Sequence, residues 1–198
     1  MPQRPEDYDF ALLNRALLFA AEKHSGVFRK ATGMPYIFHP MEAAAVAATV
    51  TNDPEVLAAA LLHDVVEDAG VTEEELRLHF GERVAALVAE ESENKRENMP
   101  AELTWKIRKQ EAVTHLASAE RDAKIVALGD KLSNMRAVAR DYETFGPDLW
   151  RRFHCKDPEE QAWYYRSMAR ALSELSATPA WREYAELVER VFGPEPED

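Results

Sequence analysis

Leu61-Leu62-His63-Asp64-Val65-Val66-Glu67-Asp68 places two metal-ligand side chains next to each other in an apolar run, with two more carboxylates following at the next turn. The apolar residues around it recur at helical spacing. Asp53-Pro54 supplies an N-cap and a first-turn proline, and Gly70 supplies a stop, so one helix is predicted over 54–69. On a continuous helix, residues four apart share a face, so His63 lies over Glu67 and Asp64 over Asp68. Carboxylates crowded in this way repel one another unless a cation sits among them. Nitrogen and oxygen donors together suit a borderline first-row ion such as Mn²⁺, Fe²⁺ or Zn²⁺. The ordinary alternative for this stretch alone is a solvated acidic helix end with one satisfied histidine.

Two segments on either side bear on that choice. Upstream, Tyr36-Ile37-Phe38-His39-Pro40 sets a histidine between apolar residues at the start of a helix. Downstream, Ile125-Val126-Ala127-Leu128-Gly129-Asp130-Lys131-Leu132 buries an aspartate in an apolar helical stretch. A buried carboxylate needs a cation or several donors. For Asp130 the alternative to a metal is a salt bridge to Lys131 or Arg136. Taken together, His39, His63, Asp64 and Asp130 are the four candidate ligands of one divalent ion.

The rest of the chain reads as further helices, over about 7–24, 40–50, 73–80, 82–91, 102–116, 122–140, 158–175 and 179–192. Strand-like alternation is scarce, and no internal repeat or composition shift marks a second unit. The expectation is an all-α bundle of about ten helices in a single domain over 1–192, followed by a disordered acidic tail over 193–198.

With 198 residues, 46% hydrophobic and 30% charged, the chain can bury a core of its own. Its only cysteine, Cys155, excludes an internal disulfide and fits a reducing cytoplasm. The residues before Asp9 lack the basic flank and apolar run of a signal peptide, and no apolar stretch is long enough to span a bilayer. A net charge of −12 argues against wrapping nucleic acid, because phosphate neutralisation drives that binding. A small anionic ligand then requires a local cation or basic patch. No Walker-type glycine loop occurs.

The order His … His-Asp … Asp on helices resembles that of HD-domain phosphohydrolases. More specifically, Arg29-Lys30-Ala31-Thr32-Gly33-Met34-Pro35-Tyr36-Ile37-Phe38-His39-Pro40, Leu62-His63-Asp64-Val65-Val66-Glu67-Asp68 and Leu128-Gly129-Asp130-Lys131-Leu132-Ser133-Asn134-Met135-Arg136 are similar to the hydrolase domain of RelA/SpoT-type enzymes, especially stand-alone small alarmone hydrolases. The resemblance implies that the matching histidines and aspartates bind Mn²⁺ and that Glu67 and Asp68 support the attacking water. It also implies that Arg29, Lys30 and Asn134 touch the nucleotide. The implied reaction removes pyrophosphate from the 3′ position of guanosine tetra- or pentaphosphate. A chain ending at Asp198 is expected to carry the hydrolase without a synthetase.

The residues themselves suit phosphate ester hydrolysis. Glu67 is the favoured general acid/base, from its place on the His63 face, with Asp68 beside it. Arg29 and Lys30, just upstream of His39, are candidates to hold the substrate's charge. In the basic stretch further on, Lys95 and Arg108 are also candidates, while Lys106 and Lys109 read as surface charge. Two other functions fit the same residues: an HD phosphohydrolase of deoxynucleotides or NADPH, and a sensor module that has lost catalysis. The intact ligand set with Glu67 and Asp68 weighs against the sensor. Metal preference and oligomeric state are not legible.

Overall fold

In the computed structural model, the residues described are 8–29, 33–91, 96 and 98–195. Ten α-helices follow in chain order: α1 (Phe10–Lys23), α2 (Phe38–Ala47), α3 (Pro54–Leu62), α4 (Val65–Ala69), α5 (Glu73–Phe80), α6 (Glu82–Glu91), α7 (Ala101–Ser118), α8 (Arg121–Phe145), α9 (Pro158–Ala171) and α10 (Pro179–Phe192). Two short 3-10 helices, Gly146–Arg152 and Ser173–Leu175, link the last three. No sheet occurs among the described residues. A single antiparallel bridge, Phe28 with Pro35, pins the loop between α1 and α2.

The longest helix, α8, is the axis of the fold. Ala123 to Asp130 are all buried, as are Leu132, Ser133, Met135, Val138 and Ala139. A helix segment buried all round must be covered on several sides. α2, α3, α6 and α10 provide that cover. α3 is buried throughout from Val56 to Leu62, packed between α1, α2, α6 and α8. The C-terminal end of α3 and the middle of α8 carry three of the four expected ligands, and α2 carries His39.

Local sequence explains most helix starts. Asp53 accepts from the Glu55 and Val56 N–H groups at the head of α3, where Pro54 takes the first helical position. Asp157 and Thr178 cap α9 and α10 in the same way. Arg83 on α6 ties the heads of α3 and α8 together, reaching Asp53 (2.8 Å), Glu55 (2.6 Å) and Asp122 (2.7 Å). Thr72 caps α5 by accepting from the Glu75 N–H, while the Glu75 carboxylate pairs with Lys23 on α1.

The single helix expected over 54–69 is broken. α3 ends at Leu62, Asp64 sits at φ −96°, ψ −4°, and α4 restarts at Val65. Adjacent residues on an unbroken helix point about 100° apart. The turn at His63-Asp64 brings the two side chains together instead. The helix expected over 158–175 also ends early, with α9 stopping at Ala171 and a 3-10 turn over Ser173–Leu175. Of the tail, residues 193–195 lie against α9, where Arg166 donates to the Phe192, Gly193 and Pro194 carbonyls and Arg170 pairs with Glu195.

One glycine fixes the spacing of the core. A Cβ at Gly129 would lie 2.5 Å from the Ala43 carbonyl oxygen of α2, so the two backbones touch there. Alanine favours a helix over glycine by about 1 kcal/mol. Here that gain is outweighed, because neither backbone can yield. Gly129→Ala is expected to lower stability by about 1–3 kcal/mol, the usual cost of overpacking. Urea unfolding measures it, and a variant as stable as the parent would contradict the contact.

Candidate metal centre

Three separate elements deliver the polar groups to one point. His39 is the second residue of α2, held at its first turn by its N–H to the Tyr36 carbonyl. His63 follows directly after α3. Asp130 lies midway along α8, one residue past the Gly129 contact that draws α8 against α2. His39 and His63 are each only 2% exposed and Asp130 is 7% exposed. Their ligand atoms all lie within 4.8 Å of one another.

The distances are those of a coordination shell. The two Nε2 atoms are 3.2 Å apart. His39 Nε2 is 3.0 Å from Asp130 Oδ1, and His63 Nε2 is 3.6 Å from it. Asp64 brings Oδ2 to 3.0 Å from His63 Nε2 and 3.3 Å from His39 Nε2. A first-row cation bound at roughly 2.0–2.2 Å sets donor–donor edges of about 3.0–3.5 Å. His63 Nδ1 donates to the Ala60 carbonyl at 2.8 Å, which leaves Nε2 as the atom facing the cage. His39, His63 and Asp130 therefore form a cluster that can hold one divalent cation.

The electrostatics favour positive charge inside the cage. Burial alone would lower the pKa of His63, but the Asp64 and Asp130 carboxylates overcome it and hold the imidazole well above its ordinary value. Burial likewise works against the charged form of Asp64, and His63 and His39 bring its carboxyl well below the usual range. For Asp130, burial is outweighed first by Lys131 and then by the imidazoles. The expected alternative for Asp130 is thus present alongside the cluster: Lys131 Nζ sits 2.6 Å from Asp130 Oδ2 and 3.2 Å from Glu91. Arg136 does not reach Asp130; it pairs with Glu42 and Glu183.

Around the cage, Arg29 Nη2 donates to Asn134 Oδ1 at 2.7 Å, and Asn134 Nδ2 donates to Asp130 Oδ1 at 2.6 Å. Arg29 Nη1 is buried without a hydrogen-bond partner among the described residues. Glu67, half-buried, and Asp68, exposed, sit on α4. The break before α4 removes the continuous face on which His63 would lie over Glu67. Lys30 and Lys95 lie outside the described residues. Arg108 is on α7, donating to Thr104 (3.3 Å).

Some participants escaped the sequence reading. The Tyr36 hydroxyl reaches Asp64 Oδ2 at 2.7 Å and Asp68 Oδ2 at 3.2 Å, linking the cage to α4. Burial, then Asp64, pushes its pKa up, so it stays a donor. Its position between Pro35 and His39 was the available signal. His24 closes α1 and is buried, its ring 4.9 Å from Tyr36. Trp105, Trp150 and Tyr165 are buried among other rings.

Residues 16–153 match the HD domain family. An HD fold around a His/His/Asp cluster defines a metal-dependent HD-domain hydrolase. Guanosine-3′,5′-bis(diphosphate) 3′-pyrophosphohydrolase MESH1 of Xenopus tropicalis is 41% identical over 135 residues, covering 67% of this chain and 72% of that protein. A protein of the same pyrophosphohydrolase name from Aquifex aeolicus is 39% identical over 139 residues, which is 69% of this chain but only 18% of that protein. Among solved structures, a metazoan ortholog of SpoT described as hydrolysing ppGpp superposes with a TM-score of 0.72 at 26% identity, over 95% of this chain and 97% of that one. The chain belongs to the HD-domain family of SpoT- and MESH1-like small alarmone hydrolases. No helix among the described residues is long and apolar enough to cross a membrane.

Proposed function

We propose that this protein hydrolyses the 3′-pyrophosphate of guanosine tetra- and pentaphosphate with one Mn²⁺ held by His39, His63, Asp64 and Asp130, releasing pyrophosphate and leaving the guanosine 5′-phosphate product. The observation that carries it is the donor cage, whose edges of 3.0–3.6 Å fit one cation, in a chain 41% identical to a protein named for this reaction. When bound, the cation supplies Lewis-acid charge against the phosphoryl oxygens and acidifies water. Glu67 takes the proton of the attacking water and returns it to the departing 3′-oxygen. Asp68, oriented by the Tyr36 hydroxyl, holds that water in line. Arg29 binds the polyanion: it has no carboxylate partner among the described residues, and its Nη1 makes no hydrogen bond among them. Its plane also suits stacking on a purine. Asn134 fixes Arg29 against Asp130, and Lys30, Lys95 and Arg108 are further candidates for the substrate's outer phosphates. The ligand is a small nucleotide in a cytoplasmic setting, not a nucleic acid or a membrane.

A panel of guanosine 3′-pyrophosphates, deoxynucleotides and NADPH, each with Mn²⁺, tests the substrate. The alarmones should be cleaved fastest. Faster cleavage of NADPH or a deoxynucleotide would assign the cage to another nucleotide. Arg29→Ala should raise KM about tenfold or more with a smaller fall in kcat, since its role is binding. An unchanged KM would remove Arg29 from the substrate site.

A further inference from the structure

His39 uses one ring nitrogen in the cage. The other, Nδ1, faces α8, where the Ser133 Oγ lies 2.9 Å away. Ser133 is fully buried, and its hydroxyl donates to Glu42 Oε2 on α2 at 2.7 Å. With its one proton given to a carboxylate, the hydroxyl oxygen is left as an acceptor toward Nδ1. Glu42 is itself held: Oε1 accepts from Arg136 Nη1 at 3.1 Å, and Arg136 grips Glu183 of α10 through Nε (2.6 Å) and Nη2 (2.7 Å). A hydrogen-bonded row thus runs from α10, beyond the residues that match the HD family, to a ring at the centre of the cage.

A rival contact pulls the other way. Arg29 Nη2 lies 3.1 Å from the same Nδ1. Were Arg29 the donor there, Nδ1 would carry the lone pair and Nε2 the proton, pointing at Asp130 and closing His39 to a cation. The two arrangements are exclusive, because a neutral imidazole has one proton to place. Ser133 offers the shorter contact and a lone pair, and Arg29 already donates Nη2 to Asn134 at 2.7 Å.

We propose that Ser133 and Glu42 are positioning residues that keep the His39 proton on Nδ1, so that Nε2 is open to the metal. The proposal rests on the metal reading above for its consequence, and on the Ser133–Glu42 geometry for its cause. Nothing in the ring's own chemistry secures this tautomer, and orienting partners of ligating histidines commonly govern affinity by 10–100-fold.

The test uses the metal-free full chain with ¹⁵N-labelled histidine, His39 being assigned by comparison with His39→Asn. Two-bond ¹⁵N–¹H spectra should show Nδ1–H in the parent and a shift toward Nε2–H in Ser133→Ala and Glu42→Gln. A purely structural role would change the melting temperature without moving this pattern. Mn²⁺ titration followed by the free-ion EPR signal should then show about 10–100-fold weaker binding in both variants. A parent His39 that is protonated on Nε2, or variants with parental tautomer and affinity, would overturn the proposal. A parent that fails to bind Mn²⁺ but shows the tautomer shift would uphold the relay and refute the metal reading instead.

Discussion

Asp130→Ala and His63→Ala should each lose the bound metal and nearly all turnover. Metal content measured by mass spectrometry should fall from about one ion per chain to about a tenth or less, and kcat by on the order of 10³-fold or more, the rate equivalent of losing several kcal/mol of charge stabilisation. The expectation follows from how each side chain is held. Asp130 is the only carboxylate of the cage that also anchors Lys131 and Asn134, so its loss leaves a buried ammonium facing Glu91 alone. His63 has its Nδ1 committed to the Ala60 carbonyl, which aims Nε2 into the cage, so its loss removes a fixed donor. Both variants cost stability as well. Asp130→Asn is the companion that keeps the side-chain volume, and it should retain the fold while still losing the ion. If the alanine variants kept both metal and activity, the cage would not be the catalytic centre.

Glu67→Gln should give the second largest effect: the metal stays and kcat falls by about 10²–10⁴-fold, the range for a lost acid/base group. Glu67 stands three residues beyond the Asp64 turn, on a helix of only five residues, and is half-buried where Asp68 is exposed. A carboxylate of intermediate exposure so close in sequence to Asp64 is proposed as the proton carrier without being a ligand. The amide keeps the size and removes the basicity, so metal content serves as the control. Turnover within about twofold of the parent would remove Glu67 from the chemistry and leave the role to Asp68.

What the sequence made legible was the meeting of His39, His63 and Asp130 in one cluster and the helices that carry them. Asp53-Pro54, Thr72 and Asp157-Pro158 announce helix starts through local capping, which depends on a few neighbouring residues only. His63 and Asp130 stand out because polar groups in apolar runs demand compensation. The break at His63-Asp64 was not legible. No glycine or proline marks it, and the turn is set by what the two side chains meet across the cage, on α2 and α8. The same holds for Ser133, Glu42 and Tyr36. Each is an ordinary polar residue locally and gains meaning only when distant helices are packed together. Lys131 was visible as a partner for Asp130, but the sequence offered salt bridge and metal site as alternatives. The structure has the salt bridge and leaves room for the other, since the two carboxylate oxygens point different ways: Oδ2 to Lys131 and Oδ1 to the imidazoles of a cluster that can hold a cation.

The most direct test of the reaction is the identity of what leaves. Guanosine 3′,5′-bis(diphosphate) incubated with the Mn²⁺-loaded protein and followed by ³¹P NMR should yield pyrophosphate and guanosine 5′-diphosphate in equal amounts, with no orthophosphate intermediate. Release of orthophosphate as the sole phosphorus product, or an unchanged spectrum from protein that has bound its metal, would contradict the proposed 3′-pyrophosphohydrolase.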